Sequence, residues 1–200
     1  MIRLTDVPDD DVPARMLETI ACLARQAQAD LRAHATALGL QIVHLQALSY
    51  LARANRYSNT AVALGDFLGS SKGTLSQTLQ LLNAKGLVRR EVDAVDRRVV
   101  RLSLTARGRK VVEGLSFARQ WDAAVDTLPP GLSRSADRAL TGTLMALQRA
   151  TGSLSFGTCR GCGHFRVEGK AAFRCGLTGE ALSERDATLI CREHIVTVTA

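Results

Sequence analysis

The chain has 200 residues, 46% of them apolar and 22% charged, and 26 Lys+Arg against 19 Asp+Glu leave it a formal +7. That composition buries a core of one ordinary domain plus a small appendage, and it excludes a disordered or fibrous chain. One Trp, two Tyr and five Phe are too few for a base-stacking platform, and no run approaches the roughly 18 uninterrupted apolar residues of a membrane span, so neither single strands nor a membrane is expected as partner.

The N-terminal MIRLTDVPDDD is acidic and lacks an apolar signal core, which predicts a cytoplasmic protein. Residues 13–38 then read as a helix, with Pro13 in its first turn and Met16, Leu17, Ile20, Leu23 and Leu31 at helical spacing. A second helix is predicted over 41–55, with Ile42, Leu45, Leu48 and Leu51 on one side. A third covers 60–68 and closes at Gly69. Ser70 or Ser71 caps a fourth that runs to Ala84, with a buried stripe of Leu75, Leu79 and Leu82. Past Gly86, LVRREV (87–92) and RVVRLSL (98–104) alternate as strands around a DAVDR turn and predict a hairpin. Thr105 caps a helix expected over 105–127, which Leu128-Pro129-Pro130 stops; a last helix covers 133–150. GSLSFGT (152–158) reads as a linker to a cysteine-rich tail. The expected organisation is thus residues 1–150 as a largely helical domain with one hairpin and 151–200 as a cysteine-rich module.

Charge sharpens this organisation. Residues 53–110 carry twelve basic and four acidic side chains, so the whole excess lies in one central block, as in a nucleic-acid-binding module; a solvated basic face is the plainer alternative.

Helix, turn, helix and basic hairpin make a winged helix-turn-helix, and here the residues carry a family likeness. SSKGTLSQTLQLLNAKGLVRR (70–90) followed by DRRVVRLSLTARG (96–108) closely resembles the MarR family of bacterial regulators. Leu82, Lys85, Gly86, Leu87, Val88 and Arg90 match the end of its recognition helix. Asp96, Arg97 and Arg98 match its wing, and Leu104, Thr105 and Gly108 match the strand end that follows. The resemblance spans 13–150. It implies a mainly α (α+β) fold with long dimerisation helices, a homodimer, and binding to an inverted-repeat operator in double-stranded DNA. It also implies a regulatory role, most simply repression, without enzymatic activity. In this pattern the Asp of the wing braces its arginines, which reach the backbone or the minor groove; Asp96, Arg97 and Arg98 match.

The residues support the same face on physical grounds. Ser76, Gln77 and Gln80 are polar, hydrogen-bonding and opposite the buried stripe, as base-edge readers must be. Ser71, Lys72, Gly73 and Thr74 at the helix N-terminus suit phosphate, and Arg90 adds charge at the first wing strand. His34 and His44 sit on amphipathic helices, where structural roles outnumber ligand-binding ones, and Cys22 reads as a small, partly buried packing residue.

The tail departs from the family. Cys159, Cys162, Cys175 and Cys191 run C-x2-C-x12-C-x15-C, four thiols for one tetrahedral centre in a reducing compartment. The order of Cys159, Cys162 and Phe165, then Cys175, Leu177 and Gly179, then Cys191 and His194 resembles high-potential iron–sulfur proteins, with different spacings. The expected cofactor is therefore an iron–sulfur cluster, 4Fe–4S before 2Fe–2S, with zinc as the alternative and His164 and His194 as reserve ligands or hydrogen-bond donors. The function expected is a DNA-binding regulator whose tail cluster reports iron or redox state. The rival is a regulator with a structural zinc and a separate small-ligand signal. A thiol-redox enzyme built on Cys159 and Cys162 lacks the βαβ context it needs.

Overall fold

The computed structural model describes residues 11–94, 96–129, 131–169 and 172–195. The acidic start of the chain (1–10), Val95 of the hairpin turn and Pro130 lie outside the described residues. Helix α1 (Val12–Ala37) carries Pro13 in its first turn, and α2 (Ile42–Arg53) opens on a reciprocal cap. There the Gln41 backbone N–H donates to His44 Nδ1 at 3.0 Å. Thr60 caps α3 (Ala61–Leu68), and Ser71 caps α4 (Lys72–Ala84). Each hydroxyl satisfies one of the amides that a helix start leaves unpaired. Strands β1 (Val88–Val92) and β2 (Val100–Leu104) pair antiparallel with Val88 opposite Leu104. Helices α5 (Ala106–Glu113), α6 (Ser116–Asp126) and α7 (Leu132–Thr151) follow.

The core forms where the stripes of α2, α3 and α4 meet the hairpin. Leu45, Leu48, Leu64, Leu79, Leu82 and Leu102 are all buried there, with Tyr50 among them. The predicted single helix over 105–127 is two. Gly114 ends α5, Leu115 is extended (φ −63°, ψ 124°), and Asp30 of α1 accepts hydrogen bonds from Ser116 Oγ and Phe117 N, capping α6 from a distance. Cys22 is exposed rather than partly buried, because Ala35 is the only residue of α1 that this single chain buries among those described; Arg25 donates to its sulfur at 2.9 Å.

After α7 the chain builds a small β-rich module. β3 (Gly157–Thr158) pairs with β7 (Ile190–Cys191), and β4 (Phe165–Val167), β5 (Phe173–Cys175) and β6 (Ala181–Leu182) form a second sheet beside the short helix α8 (Glu184–Thr188). This module sits on the winged part. Ile190 belongs to the main core, and Phe156, from the stretch read as a linker, packs edge-on against Phe67 and Tyr50 at centroid distances of 5.3 and 6.2 Å. Among the described residues no helix is long and apolar enough to cross a membrane.

Candidate nucleic-acid interface and thiol cavity

Helix α4 has one buried side, Leu75, Thr78, Leu79 and Leu82, so its remaining side faces outward. Ser71, Lys72, Gly73, Thr74, Ser76, Gln77 and Gln80 are all exposed. Arg90 of β1 joins Lys72 and Ser76 along a groove of about 290 Å3 between α3, α4 and the hairpin. The N-terminus of α4 also carries no acidic residue in its first turn, which leaves its positive dipole end free for phosphate. In the wing, Arg98 donates Nε to Asp96 Oδ1 at 3.1 Å, and its backbone N–H goes to the same oxygen at 3.0 Å. Hydrogen bonding from Arg98 holds the Asp96 carboxyl below the ordinary carboxylate range. Asp96 thus braces Arg98. Arg97 is exposed and, among the described residues, has no ion-pair partner, which leaves its guanidinium available.

The sequence pattern around Gly86 and Gly108 is a structural joint that aims this face. Gly86 turns the chain out of α4 at φ +64°, a conformation that costs a side-chain-bearing residue about 1–2 kcal/mol. Thr105 caps α5 by accepting from Gly108 N at 3.0 Å and donates its own hydroxyl to Gly86 O at 2.7 Å. Gly108 lies so close to the strand that a Cβ would stand 2.1 Å from Leu87 O. The end of α4, the hairpin and α5 are therefore locked at one corner.

The four tail cysteines, remote in sequence, line one cavity of about 50 Å3 with Tyr57, His164, Phe165, Leu177 and Leu182. The β3–β7 and β4–β5 pairings do this, setting Cys191 opposite Gly157 and Cys175 opposite Phe165. All four thiols are free. Cys162 Sγ accepts from His164 N at 3.4 Å, and Cys159 Sγ accepts from the Asn55 side-chain amide at 3.3 Å. The hydrogen bond between the Cys159 and Cys191 thiols, ahead of burial, lowers the pKa of Cys191 and raises that of Cys159. Among the described residues no three His, Cys, Asp or Glu side chains are closed into a cage for a metal ion. The thiols stand instead around a space larger than the roughly 10–15 Å3 that one water needs. His164 lines that space. His194 does not; its ring meets Gly161 O at 3.2 Å and Ser155 Oγ at 3.1 Å, and burial lowers its pKa.

Sequence reasoning missed Asn55, Tyr57 and Arg101. Asn55 is only 1% exposed in a short connection between helices, where an Asn is ordinary, and no local pattern announces its sulfur partner. His34 and His44 prove structural, His34 bonded to Asp30 O at 2.9 Å within α1 and His44 buried as a helix cap.

A sequence model of the MarR family matches residues 38–99, from the start of α2 to the wing. The chain is 30% identical to a MarR-family transcriptional regulator from Silicibacter pomeroyi, over 72% of this chain and 95% of that one, with a TM-score of 0.53. A MarR transcriptional regulator from Methanosarcina mazei Go1 is 23% identical over 68% of this chain and 99% of its own, with a TM-score of 0.54. A DNA complex of S. aureus MepR is 22% identical over 70% of this chain and all of that one, also with a TM-score of 0.54. No curated protein matches the sequence.

Proposed function

The chain belongs to the MarR family of transcriptional regulators, and on that footing we propose that it is a homodimeric repressor whose operator affinity is set by an iron–sulfur cluster on Cys159, Cys162, Cys175 and Cys191. It is a regulator rather than an enzyme. Its DNA contacts divide by chemistry. Ser71, Lys72, Gly73 and Thr74 hold phosphate at the start of α4, Ser76, Gln77 and Gln80 read base edges in the major groove, and Arg90, Arg97 and Arg98 contact the backbone or minor groove, Asp96 steadying Arg98. The observation that carries this reading is the exposed polar side of α4 beside a basic wing, while the opposite side of the same helix is fully packed.

For the cofactor, the supporting observation is four thiols around one small, largely apolar cavity, two of them already accepting N–H hydrogen bonds. Such bonds and such surroundings tune the potential of a thiolate-bound cluster. The order of the four cysteines, one close pair and two single residues, favours a cluster, with a lone tetrahedral zinc on the same thiols as the alternative. A cluster held there would supply a charge that changes with iron or redox state.

Two measurements on full-length protein purified without oxygen test both parts. Iron and acid-labile sulfide should be present and should be lost on substituting any one of the four cysteines by Ser; a colourless protein with one zinc per chain would replace the cluster with a structural staple. Against a duplex selected from a random library, Arg97→Ala with Arg98→Ala should cost about 1–3 kcal/mol and shallow the salt dependence by roughly two phosphate contacts. Unchanged affinity and slope would remove the wing from the interface.

A further inference from the structure

The connection between α2 and α3, residues 54–60, is enclosed between two parts of the chain that lie far from it in sequence. On one side is the thiol cavity. Asn55 donates its side-chain amide to Cys159 Sγ at 3.3 Å and its backbone N–H to Ile190 O at 2.9 Å. Ser58, wholly buried, accepts through Oγ from Arg192 N at 2.7 Å, one residue past Cys191, and Tyr57 lines the cavity itself. On the other side is the wing. Leu102 N of β2 donates to Asn59 O at 2.7 Å. Arg101 joins the two: its guanidinium donates to Arg56 O, and its Nε to Asp93 Oδ2 at 2.7 Å, where the wing turn begins.

The connection is stiff across its width. Ser58 N and Asn59 N both donate to Asn55 O, at 3.0 and 3.1 Å, so residues 55–59 form one hydrogen-bonded turn. Asn55 has no water to turn to, and a buried amide left without its acceptor is costly. If Cys159 Sγ were drawn toward a bound centre, Asn55 would follow its acceptor, and the turn would move with it. The far edge of that turn is bonded to β2 and, through Arg101, to Asp93.

We propose that the Asn55–Asn59 turn is the transmission element between the thiol cavity and the DNA-binding wing, with Asn55 reading the state of Cys159 and Arg101 passing its displacement to the wing. This rests on the reading that the cavity holds a metal centre. Asn55 and Arg101 are positioning residues; neither supplies a ligand or a DNA contact. A shift of the wing changes operator affinity only if the loaded and unloaded cavity favour different wing positions, so the quantity to measure is the wing's response to loading.

Hydrogen exchange of the full-length protein measures it, with reduced thiols, before and after loading with ferrous iron plus sulfide, or with zinc, and with metal content determined for every sample. In the wild type, loading should change exchange across 54–60 and 88–104 by about tenfold, an ordinary size for coupling between sites, as well as across 157–191. In Asn55→Ala and in Arg101→Gln, compared at equal metal content, the change at 88–104 should disappear while that at 157–191 persists. Should Asn55→Ala fail to fold, Arg101→Gln carries the comparison from the far side of the turn. A wild type that loads metal and responds only at 157–191 overturns the coupling and leaves the metal site standing. A variant pair that transmits as the wild type does overturns it as well. If the wild type takes up neither iron nor zinc, the cofactor reading falls, and unloaded Cys159→Ser decides the coupling. Altered exchange at 88–104 upholds it, and unchanged exchange there overturns it.

Discussion

At the scale of single residues, His44 shows how a buried polar group ties stability to pH. It is 5% exposed, and its Nδ1 accepts the Gln41 backbone N–H, which requires the neutral ring with its proton on Nε2. Burial first, and the positive charge of Lys85 second, lower its pKa. The sign follows from linkage. An unfolded chain binds this proton near pH 6.5, the ordinary imidazole value, and the native chain resists it, so stability is intact above that pH and is lost as pH falls through the folded value. The melting temperature should therefore drop on acidification from neutral pH. In His44→Gln, whose side-chain oxygen can still accept from Gln41, the drop should be shallower. Identical acid dependence in the two proteins would show that His44 does not titrate on unfolding.

Among elements, the corner between α4, the hairpin and α5 is the tightest joint. A methyl at position 108 would meet the Leu87 carbonyl at 2.1 Å, and backbone cannot yield as a flexible side chain does. Gly108→Ala should cost about 1–3 kcal/mol in denaturant unfolding, the usual range for overpacking, and should tilt the wing against α4. A loss below about 0.5 kcal/mol, the ordinary size of an innocuous surface change, would mean that α5 is free to slide. The hydrogen bond from Thr105 to Gly86 spans 19 positions and no local spacing encodes it, but Gly86 as the end of α4 and Thr105 as a helix cap were legible in the sequence. So were α2, α3 and α4, whose apolar periods are local too. The break between α5 and α6 was not, because a lone Gly114 without proline is tolerated inside a helix and the cap that stabilises the second helix, Asp30, comes from α1. The seat of the cysteine module on the Asn55–Asn59 turn was hidden for the same reason. Its hydrogen bonds join residues 104 and 134 positions apart, and no periodicity encodes them.

On the scale of the whole molecule, the helices outside the winged core are unfinished in a single chain. α7 has 20 residues and α6 has 11, and neither buries one residue among those described. Leu17 of α1 is 69% exposed, and Leu140, Leu144 and Leu147 of α7 are 39, 53 and 59% exposed. α1, α6 and α7 line an apolar groove of about 600 Å3 that contains Met16, Ile20, Leu23, Trp121 and Leu140. A soluble helix without a buried face is marginal by itself, so these stripes need a cover of matching shape, and the second copy of the proposed homodimer would supply one through a two-fold axis. Completing the burial of each leucine would contribute on the order of 1 kcal/mol, counted twice by symmetry. Sedimentation should therefore give a dimer at micromolar concentration, and Leu144→Asp with Leu147→Asp should halve the mass. The same substitutions should abolish binding to an inverted repeat, because only a two-fold pair sets two α4 helices about one helical turn of DNA apart. A wild-type monomer that still binds the inverted repeat, or a double variant that stays dimeric, would place the cover elsewhere.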